Sequence, residues 1–129
     1  MKRMSIICLA LVILLLSSCN STDRIERDSQ LVGTWHVSDS FYAAGVGWVI
    51  VDVFQTFNSD GTGRLSYVYW EQEQWSSEFT WSTSNGIVVS IYRHDEQIAV
   101  TSGAYEVNDD FLIIDNGHDE IQILQRVNN

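Results

Sequence analysis

Residues 75–83 read WSSEFTWST, and their reading decides the fold. In an extended chain successive side chains point to opposite faces. Trp75, Ser77, Phe79 and Trp81 then share one face, and Ser76, Glu78, Thr80 and Ser82 the other. At a helical period the same residues leave no apolar stripe. The aromatic and β-branched content suits a pleated, half-buried surface.

The period of two persists outward in both directions from Leu31 onward. Turn residues punctuate it at Asn58-Ser59-Asp60-Gly61, Ser84-Asn85-Gly86, Asn108-Asp109 and Asn116-Gly117. Proline is absent, so no strand loses an N–H to it. Cutting at the turns predicts strands at 31–38, 48–57, 62–70, 75–83, 87–92, 97–107, 111–115 and 119–127. Every connection but the first is short, so each strand pairs with the next. A meander of this kind exposes two edges unless it closes. The expected fold is therefore all-β: an eight-stranded antiparallel up-and-down barrel over 31–129.

The front of the chain is of another kind. Lys2 and Arg3 precede an apolar run from Ile6 to Leu16, too short for the roughly 20 residues of a spanning helix and suited to a signal h-region. The run ends in Leu16-Ser17-Ser18-Cys19, which resembles the lipobox of bacterial lipoproteins. That resemblance implies removal of residues 1–18 and acylation of Cys19, with several chains giving stable membrane anchoring. It also implies an outer-membrane address in the cell envelope, because residue 20 is Asn and not Asp. Residues 19–30 read as lipidated Cys and flexible tether. Cys8 leaves with the signal and Cys19 carries lipid, so thiol nucleophiles, Cys-ligated zinc and disulfides are excluded.

Loss of Lys2 and Arg3 takes the formal charge from −10 to −12. So acidic a surface repels nucleic acid and anionic lipid headgroups. No HExxH, GxSxG or phosphate-cradling glycine loop is present, and no enzyme activity or cofactor is expected. His94-Asp95-Glu96 and His118-Asp119-Glu120 offer imidazole beside carboxylate, but they read as solvated hairpin turns rather than metal ligands. Asn58-Ser59-Asp60-Gly61 lacks the frame of a calcium loop and reads as a hairpin turn. Asp52, the odd polar residue between Val51 and Val53, is expected to pair with Arg64 across the strands; a polar anchor for a ligand inside the barrel is the alternative.

Gly33-x-Trp35 on the first strand, with Arg126 near the end of the last, resembles the lipocalin-like (calycin) pattern. The series LVGTW, FNSDGTG, FTWS, YEVNDDFLII, QRV is similar to the small lipocalin-like domains of Bacteroidetes lipoproteins. The resemblance implies that Trp35 plugs the closed end, that Arg126 lies across its ring, and that Gly33 lets the guanidinium approach. The lack of a C-terminal helix departs from longer lipocalins.

Strand parity then sorts the loops. The turns at 58–61, 84–86 and 108–110 and the tether fall at the closed end; 39–47, 71–74, 93–96 and 116–118 fall at the mouth, away from the membrane. Residues 39–47, DSFYAAGVG, read as a lid or as a rim contact. Asp39, Glu71, Glu73, Asp95, Glu96, Asp115, Asp119 and Glu120 make the mouth acidic, which disfavours fatty acids. With Trp48, Phe54, Tyr67, Tyr69, Phe79 and Trp81 turned inward, the barrel would hold only a shallow aromatic pocket. The expected ligand-binding residues are Phe41, Tyr42, Trp48, Tyr69, Trp75 and Tyr92, taking a small apolar, aromatic or cationic molecule. The alternative function is a protein-interaction or inhibitor module whose acidic mouth loops engage a basic partner.

Overall fold

The computed structural model describes residues 25–128. The expected signal sequence and the expected lipidation site, Cys19, lie outside them. A short 3₁₀ turn, Ser29–Leu31, precedes the strands β1 Gly33–Ala43, β2 Gly47–Phe57, β3 Thr62–Tyr69, β4 Gln72–Ser84, β5 Ile87–His94, β6 Gln97–Val107, β7 Phe111–Asp115 and β8 Ile121–Arg126. Each pairs antiparallel with the next, and β8 returns to β1 to close the barrel.

Three expected boundaries move. The stretch 39–47 is not a lid loop: Asp39–Ala43 continue β1 and pair with Gly47–Val51, leaving a tight turn with Gly45 and Gly47 at positive φ. β4 begins at Gln72 rather than 75, because Trp70 and Glu71 both adopt positive φ and turn the chain in two residues. A register shift follows, with Tyr67 opposite Trp75 but Val68 opposite Glu73. The expected tether also ends early. Glu26 accepts a backbone hydrogen bond from Thr83 (2.8 Å), Arg27 Nε donates to the Trp81 carbonyl (3.1 Å), and Leu31 is fully buried.

Cross-strand partners share a face. Trp35 is buried, and its partner on β2 is Gln55; Gln55 therefore points inward and Phe54 outward. This corrects the inward placement of Trp48 and Phe54. Trp48 is 73% exposed beside Tyr42 on the outer surface, and Phe54 stacks on the His36 ring at 4.8 Å. The fully buried large side chains gather at the closed end. Leu31, Trp35, Phe57, Phe79, Trp81, Leu112 and Leu124 form one buried cluster. Phe57 meets Phe79 and Trp81 edge-on at 5.5 and 5.2 Å.

The floor is tied by hydrogen bonds from later strands to earlier turns. Trp81, Tyr105 and Arg126 donate their amides to the carbonyls of Gly61, Gly86 and Asp110. Trp35 Nε1 donates to Leu31 O at 2.9 Å, and the Arg126 guanidinium lies over the indole at 4.1 Å. Arg126 also donates to the carbonyls of Asp109, Val32 and Gln30 at 2.8, 3.0 and 2.8 Å. Gly33, at φ +138°, leaves that space open, since a Cβ there would stand 2.8 Å from Arg126 Nη1.

Candidate functional site

Above the aromatic floor the barrel encloses a cavity of about 1080 Å³. It is deep, which corrects the expected shallow pocket. Its volume comes from small inward residues: Ser77 on β4, Ser90 on β5, Ala99, Thr101 and Gly103 on β6. Sequence reading weighed the aromatic residues and overlooked this run of small ones, whose alternation with larger outward neighbours (Ile98, Val100) was the available signal. Val37, Val53 and Leu65 form the opposite wall, and Val88, Ile114 and Leu124 lie toward the floor.

Of the six expected binding residues, Trp75 and Tyr92 line this cavity and Phe41, Tyr42, Trp48 and Tyr69 do not. Phe41 contacts Tyr69 edge-on at 5.7 Å, and Tyr42 contacts Trp48 in the same way at 5.7 Å. Tyr42 and Trp48 sit on the outer face because they alternate with inward neighbours. Tyr67, not among the expected binding residues, joins Trp75 in the wall with ring centroids 5.2 Å apart. Tyr92 packs on Phe79 at 5.1 Å, and burial, then the nearby Tyr67, pushes its hydroxyl up to about 12. Tyr92 therefore stays a neutral hydrogen-bonding phenol at any physiological pH.

The cavity lining contains no Lys or Arg, and Asp39 at the rim is its one carboxylate. Deeper in, Gln55 and Ser90 are only 9% and 4% exposed. Both border the cavity, and neither takes part in a side-chain hydrogen bond among the described residues. Thr83, the third buried polar residue, has its oxygen satisfied by the Asp28 amide at 2.9 Å.

Asp52 is neither Arg64's partner nor a ligand anchor in the barrel. It lies on the outer face, where His36 Nε2 stands 2.8 Å away and Ser38 Oγ donates at 2.7 Å. The His36 hydrogen bond, then that from Ser38, holds its carboxyl below the usual range. Arg64 instead donates to both oxygens of Glu73, at 2.7 and 2.9 Å. His94 sits on the cavity rim 3.9 Å from Asp95. Among the described residues no three His, Cys, Asp or Glu side chains converge to hold a metal ion. No helix among them is long and apolar enough to cross a membrane. No protein-family model, curated protein or solved structure matches the chain.

Proposed function

We propose that the protein is a lipid-anchored, non-enzymatic binding protein whose barrel holds one small, largely apolar molecule, neutral or cationic. The cavity of about 1080 Å³ carries this reading. It is the size of a small-molecule site, and aromatic, aliphatic and a few polar groups share its walls. Its charge excludes one common class: a carboxylate ligand would meet Asp39 with no Lys or Arg in the lining to receive it. The lipocalin-like pattern of Gly33, Trp35 and Arg126 supports the same assignment, and the lipobox-like Leu16–Cys19 supports the anchor. The chain enters the fold beneath its floor, so an anchored barrel presents its mouth away from the lipid.

Fluorescence enhancement of N-phenyl-1-naphthylamine on the full chain tests the reading. The expected result is saturable one-to-one binding that Thr101→Trp, which fills the cavity, abolishes. Binding that survives this substitution would place the dye outside the barrel and overturn the assignment.

A second reading has one observation in its favour. Of the rim carboxylates, Glu73 is paired with Arg64, while Asp95 has only His94 at 3.9 Å and the others form no ion pair among the described residues. That leaves an acidic rim able to engage a basic protein segment. Such binding would weaken steeply with added salt.

A further inference from the structure

Gln55 and Ser90 are mostly buried polar residues next to the barrel floor that face the cavity. Gln55 is the cross-strand partner of Trp35, and Ser90 that of Trp81. Both therefore sit beside members of the aromatic cluster, in the lower part of the cavity. Buried polar side chains normally find a partner inside the protein, and an unpaired one opposes folding. Thr83, on the same inner face of β4 as Trp81, obeys the rule through Asp28. Gln55 and Ser90 do not, and they face the cavity instead. Their polar atoms are reached from the cavity, since among the described residues no fully buried side-chain nitrogen or oxygen lacks a partner.

We infer that Gln55 and Ser90 form a buried polar subsite that receives a neutral hydroxyl or carbonyl group at the leading end of the ligand. This deepens the proposed function and rests on it. The ligand class is an aromatic or alicyclic body with an uncharged hydrogen-bonding group at one end. That end goes in first. The ring system lies against Tyr67, Trp75 and Tyr92, and any positive charge trails toward Asp39 at the rim. A charged leading group is excluded because neither Gln55 nor Ser90 can neutralise it, whereas an amide and a hydroxyl both donate and accept. The recognition is of the kind that discriminates most strongly: an analogue without the polar group leaves the buried partners unpaired.

The test compares 2-naphthol with 2-methylnaphthalene, near-isosteres that differ in hydroxyl against methyl. Equilibrium dialysis is run on the full chain against a protein-free blank. The expected result is that 2-naphthol binds about tenfold tighter or more, although water solvates it better. Gln55→Leu with Ser90→Ala should reverse that preference while 2-methylnaphthalene binding is kept or improved. Gln55→Leu alone should leave the thermal midpoint at or above that of the wild type, whereas an amide with a structural role would lower it on removal. If 2-methylnaphthalene binds the wild type as tightly as 2-naphthol, or if the preference outlasts both substitutions, the subsite is wrong and the cavity reading stands. If neither compound binds and Thr101→Trp changes nothing, the cavity reading itself fails and the subsite with it.

Discussion

At the scale of single residues, Arg126 shows how one side chain closes a fold. Its guanidinium meets an indole face and three carbonyls at once, from Gln30, Val32 and Asp109. A lysine has one ammonium and no planar fork, so it cannot reproduce that set. Arg126→Lys should therefore lose most of what Arg126→Ala loses, roughly 2–3 kcal/mol in urea denaturation. Full recovery by lysine would mean that charge alone matters there. Gly33→Ala attacks the same point from the other side, since a Cβ would crowd Nη1 and the backbone is at φ +138°. Asp52 gives a pH signature instead. Its folded pKa lies below the ordinary value of 3.8, chiefly through His36 and then Ser38. The bound carboxylate thus contributes stability above pH 3.8, and that contribution fades as pH falls through the lower folded value. The side chain is 42% exposed, so solvent screening keeps the effect under about 1 kcal/mol. The stability gap between wild type and Asp52→Asn, measured from pH 6 to pH 2.5, should be flat at first and then shrink. A gap that widens with acid would reverse the sign of the linkage.

At the scale of elements, the segment before β1 belongs to the barrel. Asp28 caps the 3₁₀ turn by accepting from Gln30 N at 3.0 Å, gives its own amide to Thr83, and accepts from the Tyr105 hydroxyl at 2.8 Å. Leu31 fills the space under Trp35 and is wholly buried. Leu31→Ala should cost roughly 2–4 kcal/mol by the loss of buried contacts and the cavity left behind. A chain starting at Val32 should lose the cooperative transition that one starting at Ile25 keeps, as followed by near-UV circular dichroism. Equal transitions would return the segment to the role of a tether. Its sequence, RIERDSQL, hides this role because its ties are mostly backbone and polar, and periodicity detects only apolar faces. The same limit explains the other misreadings. Strand existence, order and closure were legible, because alternation and Asn-Gly turns are local signals. The β1–β2 turn was not, because Ala43-Ala44-Gly45 carries no β signal and the pairing of Ser40–Ala43 is set by β2 across from it. Nor was the face of Trp48 and Phe54, since a run such as GWVIVDVF is apolar on both parities. Only the pairing of Trp35 with Gln55 decides between them. The cavity was half legible: Trp75 and Tyr92 were identified, while the serines and glycine that make room for a ligand look unremarkable in sequence.

At the scale of the whole molecule, the barrel is closed but its wall is uneven. β1 and β2 pair over eleven residues each, from Gly33↔Phe57 to Ala43↔Gly47. β1 meets β8 only through Trp35↔Arg126 and His36↔Gln125. β7 meets β6 only from Ala104↔Asp115 to Val107↔Leu112, although β6 begins at Gln97. Above the floor, the β7–β8 hairpin is thus too short to cover the β6 edge from Gln97 to Gly103. The cavity reflects this. On β2, β3 and β5 its lining alternates, but on β1, β4, β6 and β8 it takes consecutive residues of both parities, including Ser38 with Asp39, Ser76 with Ser77, Ile98 with Ala99 and Ile123 with Leu124. In each case the strand lacks a ladder partner on one side at those residues, so the space reaches open edges between β6 and β1 and beside β4 as well as the end. Local stability should follow the pairing. In native-state hydrogen exchange, the amides of β6 between Gln97 and Gly103 that face away from β5 should exchange orders of magnitude faster than those of Ala104–Val107, which β7 holds. The amides of β2, bonded on both sides between Asp52 and Phe57, should be the slowest. Ligand in the cavity should slow the fast set most, because a molecule filling the opening beside β6 excludes water from that edge. Uniform protection along β6, with or without ligand, would mean that the edge is covered in solution and that entry is through the end alone.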